Sequence, residues 1–119
     1  MPEYKLGEIE ARFAELIWAN APVASGTLVK LAEKELGWKK STTYTVLRRL
    51  CEKGLFANEN GAVVPLVQKT ELHAVQSEEF VQENFAGSLP AFLAAFTSRK
   101  KLTEEEIAAI VRIIEENRG

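Results

Sequence analysis

Hydroxyls and cations crowd one short stretch of this chain. Residues 38–53 carry Lys39, Lys40, Arg48, Arg49 and Lys53 against one acid, Glu52, although the whole chain has a net charge of −2. The same stretch holds Ser41, Thr42, Thr43, Tyr44 and Thr45. Short hydroxyls exchange hydrogen bonds with base edges, and long cations meet phosphates, so the set suits contact with a nucleic acid. A solvated basic helix face would have the same composition, and charge alone does not separate the two.

Other chemistries lack their parts. The 17 acids are all glutamate, and there is one histidine, His73, and one cysteine, Cys51. That excludes most acid–base pairs, catalytic triads and zinc sites, as well as an internal disulfide. Cys51 falls on an apolar stripe and reads as a small buried hydrophobe, and His73 reads as a structural histidine on a helix. No catalytic residue, metal or cofactor is expected. At 119 residues, 46% hydrophobic and 27% charged, the chain has the makeup of one globular domain or one with a small appendage. No apolar run approaches the roughly 18 residues of a membrane helix. Met1-Pro2-Glu3-Tyr4-Lys5 has neither the basic start nor the apolar core of a signal peptide. A cytoplasmic protein without a membrane partner is expected.

The elements that must position the basic stretch are legible from periodicity. A first helix spans about 8–20, with Ile9, Phe13, Leu16 and Ile17 on its apolar side. Val23 and Ala24 form an extended link. Ser25 reads as the N-cap of a second helix over 25–35, with Leu28, Val29, Ala32 and Leu36 inward, and Gly37 as its C-terminal glycine. A third helix begins between 39 and 41 and runs to 53, burying Thr43, Val46, Leu47, Leu50 and Cys51. Asn60-Gly61 lies between two strand-like runs and predicts a hairpin. Trp18 and Trp38 read as anchors at the core or its edge. A fourth helix covers 69–85, with Leu72, Val75, Phe80 and Phe85 on one face. A short apolar helix covers 89–97, and a last helix opens with a capping box at Thr103 and Glu106.

Three helices followed by a hairpin is the order of a winged helix-turn-helix. The fold class expected is mainly α with a small β-hairpin: a winged-helix DNA-binding domain over residues 1–67 and a helical dimerisation region over 68–119. Turned through about 100° per residue, the third helix puts Thr42, Thr45 and Arg49 opposite its core side. Ser41, Arg48 and Glu52 flank them, and Tyr44 sits at the core edge, placed to pack or to reach out. With Lys39 and Lys40 at the helix entrance, the candidate DNA-binding set is Lys39, Lys40, Ser41, Thr42, Tyr44, Thr45, Arg48 and Arg49. The hairpin tip over 58–61 carries Glu59 and no arginine, so it is expected to touch the DNA backbone lightly at most. The last helix is apolar on most sides and follows a domain already complete, which suits a partner helix. The candidate dimer face is Phe92, Leu93, Phe96, Ile107, Ile110, Val111 and Ile114.

Residues 41–55, from Ser41-Thr42-Thr43-Tyr44-Thr45 through Arg48-Arg49 to Gly54-Leu55, resemble the recognition helix and first wing strand of the penicillinase-repressor (BlaI/MecI) family. Pro65-Leu66-Val67, Phe85-Ala86-Gly87-Ser88-Leu89 and Leu102-Thr103-Glu104-Glu105-Glu106-Ile107 are similar to that family's later segments, in the same order. The resemblance covers about residues 8–117. It implies a homodimeric repressor whose winged helices bind a palindromic operator in double-stranded DNA. It carries DNA contacts to Ser41, Thr42, Tyr44 and Thr45, with Arg49 in support. It also implies a sensor-linked protease that inactivates the repressor by cutting the short C-terminal helix before a phenylalanine. That bond would be Ala95–Phe96, where this chain has alanine in place of the family's asparagine. A sister branch senses copper through C-terminal cysteines, which this chain lacks, so copper sensing is disfavoured.

Two other readings compete with a repressor. A winged-helix protein-interaction module would suit the acidic balance and the poorly charged wing, and the basic third helix speaks against it. An enzyme is the weakest reading, since no nucleophile–base pair is visible.

Overall fold

The computed structural model describes residues 2–119. In chain order the elements are α1 (Glu8–Asn20), β1 (Val23–Ala24), α2 (Ser25–Leu36), α3 (Lys40–Glu52), β2 (Phe56–Glu59), β3 (Ala62–Pro65), α4 (Lys69–Phe85), α5 (Leu89–Arg99) and α6 (Glu104–Glu116). The chain divides into two units, residues 1–77 and 78–119.

The first unit is a winged helix. Helical spacing brings Phe13, Ala14 and Ile17 of α1 inward, with Leu28 and Ala32 of α2 and Val46, Leu47 and Leu50 of α3. The hairpin adds Phe56 and Val63, and Leu72 closes the cluster from the start of α4. Both tryptophans stand at the edge of this core. Trp38 meets the Phe13 ring at 5.2 Å, and Trp18 meets Phe56 at 5.1 Å. Trp18 also donates its indole N–H to the Val67 carbonyl at 3.0 Å, so its polar atom is satisfied.

Two local expectations change. The extended link is a strand: β1 pairs antiparallel with β3, making a three-stranded sheet in the order β1-β3-β2. That pairing explains why Ser25 is not the N-cap. Ala24 holds the cap position without a side-chain bond, and Ser25 is already helical. Its N–H donates to the Gly61 carbonyl at 2.8 Å, so the sheet runs directly into α2. The hairpin itself is as expected. Asn60 and Gly61 both take positive φ, 54° and 85°, between the paired ends Glu59 and Ala62. That matches the primed turn whose twist suits two-residue hairpins.

The second unit holds the end of α4 with α5 and α6. Ala86 and Gly87 both adopt positive φ, which stops α4. Phe80, Phe85 and Phe92 then form an aromatic cluster. Phe85 and Phe92 meet edge to face at 5.6 Å, and Phe92 reaches Phe96 at 6.2 Å. The apolar positions of α4 therefore do not serve one face of one core. Leu72 belongs to the winged helix, whereas Phe80 and Phe85 belong to this cluster. Thr103 caps α6 with a reciprocal pair: its hydroxyl accepts from Glu106 N–H at 3.0 Å, and Glu106 accepts from Thr103 N–H at 2.9 Å. Among the described residues, no helix is long and apolar enough to cross a membrane.

Candidate nucleic-acid interface

What presents α3 is the turn after α2. Gly37 adopts the left-handed conformation at φ 70°, which only a residue without Cβ reaches cheaply. Its N–H donates to Glu33, and the Trp38 N–H donates to Ala32, closing α2 within two residues. The chain then enters α3 at Lys40 with its apolar stripe already aimed at the core.

Burial along α3 follows the helical period. Thr43, Val46, Leu47 and Leu50 are buried. Lys39, Lys40, Ser41, Thr42, Thr45, Arg48 and Arg49 are exposed, and Tyr44 is half-buried. The structure thus brings the candidate residues onto the uncovered side of one helix, with Tyr44 at its margin. Two threonines show how position decides the use of a hydroxyl. Thr43 is 1% exposed and donates to the Lys39 carbonyl at 3.2 Å, which satisfies a polar group in the core. Thr45 donates to the Ser41 carbonyl at 2.9 Å but stands in solvent.

A polar brace holds the far end of this helix. Lys53, just past α3, bonds Glu10 of α1 at 3.0 Å and the Lys5 carbonyl at 2.7 Å. Burial works against the charge on Glu10. The Gly7 N–H, Lys53 and the field of Arg49 outweigh it and hold the carboxyl below its ordinary range.

Recesses flank the helix on both sides. One, of about 280 Å³, lies toward α1 and is lined by Ile9, Ser41, Thr42, Thr45, Val46 and Arg49. The other, of about 320 Å³, lies toward the wing, between Tyr44, Leu47, Arg48, Cys51 and Asn58. Cys51 is therefore half-buried at a surface recess rather than sealed in the core. Burial pushes its thiol pKa up, a nearby Asn58 N–H pulls it down, and Glu52 raises it, for a net rise. A raised pKa disfavours the reactive thiolate. The wing residues Asn58, Glu59, Asn60 and Gly61 are exposed and carry no cation.

Ile9 was missed. Its spacing from Phe13 puts it on the apolar stripe of α1, yet it is 59% exposed, because the stripe overruns the core by one turn. Periodicity finds a stripe and says nothing about where its cover stops.

On the second unit, no side chain of α5 or α6 is buried among the described residues. Phe96 is 45% exposed, Ile107 41%, Val111 51% and Ile114 51%, and Phe92, Leu93 and Ile110 are half-buried. Ala95 and Phe96 are exposed inside α5. Among the described residues, no cluster of metal-ligating side chains is present.

A helix pair displayed beside a wing in this way defines a winged helix-turn-helix. Comparison with known proteins narrows the class. Residues 6–116 match the family model of the penicillinase repressor. The chain belongs to that family, which is one of transcriptional repressors. A similar relative is the penicillinase repressor of Bacillus licheniformis, 25% identical over 119 residues that cover 97% of this chain and 93% of the relative.

Proposed function

We propose that the chain represses transcription as a homodimer that reads a palindromic operator through α3. The observation that carries this reading is the uncovered side of α3, with hydroxyls in its first turns and the Arg48-Arg49 pair further on. Side chains near the start of such a helix reach base edges, and long cations beside them hold phosphates. Lys39 and Lys40 add charge at the helix entrance. The wing offers no cation and has a minor part.

The dimer reading rests on the second unit. Exposed apolar side chains repeat along α6, and Phe96 of α5 is exposed as well. Large apolar side chains left in water are costly, and a second copy is the occupant that also doubles the operator contacts. Proteolysis at Ala95–Phe96 would separate the reading heads without touching α3. Since both residues are helical, a protease needs α5 to open first, and a helix without buried side chains resists opening weakly.

The test is a fluorescence-anisotropy titration of the full chain against duplexes from its own upstream region and a scrambled duplex, across 50–200 mM salt. Expected is tight binding to one upstream duplex, falling steeply with salt. No DNA binding at the lowest salt would overturn the reading in favour of a winged-helix protein-interaction module.

A further inference from the structure

The recess between α1 and α3 has a chemistry that the recognition-helix residues alone do not explain. Its floor is the buried Val46, and one wall is Ile9, a large hydrophobe 59% exposed. Ser41 and Thr42 bring hydroxyls to the same space, and Arg49 brings a cation. Thr45 donates its hydroxyl proton to the Ser41 carbonyl, so toward the recess it offers a methyl group or an acceptor, not a donor.

An apolar wall beside hydroxyls suits a group that is apolar on one side and accepts a hydrogen bond on the other. Among the base edges of the major groove, thymine has that pattern, with its 5-methyl beside the O4 acceptor. Cytosine shows an amino donor and no methyl, and the purines show no methyl. The recess is continuous with the hydroxyl face of α3, and at about 280 Å³ it takes a methyl together with the edge of its ring. Arg49 in its lining is suited to the phosphate of the same strand.

We infer that this recess reads one thymine of each half-site, and that Ile9, from outside the recognition helix, is a specificity-determining residue packed on the 5-methyl. The inference rests on operator reading by α3 and adds to it the base and the residue.

The experiment starts from a duplex that the full chain selects from a randomised library. Each thymine of one half-site is replaced in turn by deoxyuridine, which lacks only the methyl. One position should weaken binding about fourfold, equivalent to about 0.8 kcal/mol for one buried methyl-sized group. In Ile9→Ala that position should become insensitive to the replacement, while Ile9→Val keeps most of the sensitivity. Both variants leave the core intact, because Ile9 is largely exposed. Indifference of the wild-type chain to every deoxyuridine overturns the inference and leaves operator binding standing. Sensitivity that survives unchanged in Ile9→Ala overturns the role of Ile9. Failure to select any duplex overturns operator reading, and this inference with it.

Discussion

Thr45 hands its hydroxyl proton to the carbonyl of Ser41, one turn back on α3 at 2.9 Å. The bond occupies the only side-chain donor of Thr45, so what its side chain shows to solvent is a methyl group and oxygen lone pairs. Thr45→Val, which keeps the methyl, should therefore retain nearly all the operator affinity. Thr45→Ala should lose about 1 kcal/mol on the operator and little on random DNA. Competition anisotropy with both duplexes measures the difference. Equal losses for Val and Ala would make the hydroxyl the reading group.

Arg49 stands apart from the hydroxyl residues of α3 by its length and charge. It is exposed, later on the helix, and its field already reaches Glu10. A phosphate contact carries no sequence information. Arg49→Ala should weaken operator and random duplexes alike and reduce the slope of log affinity against log salt by about one. A titration series in salt reads this directly, and an unchanged slope would mean that Arg49 only covers apolar surface with its stem.

Most of the winged helix is legible in the sequence, because its signals are local. Gly37 and Asn60-Gly61 mark turns that need positive φ, and the stripe Thr43, Val46, Leu47 and Leu50 fixes which side of α3 is left outside. What escaped depends on partners distant in sequence. Two residues, Val23 and Ala24, carry no periodicity, and they are a strand only because β3 pairs with them. The same pairing moved the cap of α2 from Ser25 to Ala24. Ile9 and Phe80 both follow a helical stripe, but each lies past the part of it that the core covers. Their exposure, at 59% and 51%, was not readable from spacing.

The brace at the end of α3 has a pH signature. Glu10 is paired with Lys53 at 3.0 Å with only 14% of its side chain exposed, and its pKa is lowered from the ordinary 4.5. A lowered folded pKa means that the charged form stabilises the fold above the ordinary carboxylate range, and that this share is lost as the pH falls through the folded value. Glu10→Gln should lower stability by about 1 kcal/mol at neutral pH. In urea melts the gap from wild type should close as the solution is acidified below the ordinary range. A gap that stayed constant with pH would assign the loss to packing.

The second unit supplies the sharpest test of assembly. Ile110 and Ile114 lie one turn apart on α6, half-buried and 51% exposed, so charges placed there meet water in a lone protomer and a desolvated face in a dimer. The full chain carrying Ile110→Glu and Ile114→Glu should sediment as a monomer with its winged helix intact. Affinity for a single half-site should stay unchanged, because α3 is untouched. Affinity for the palindrome should drop by a factor on the order of 100, since the second head loses its tether. If the doubly charged chain still sediments as a dimer, the interface lies elsewhere, and the apolar side of α6 has another occupant.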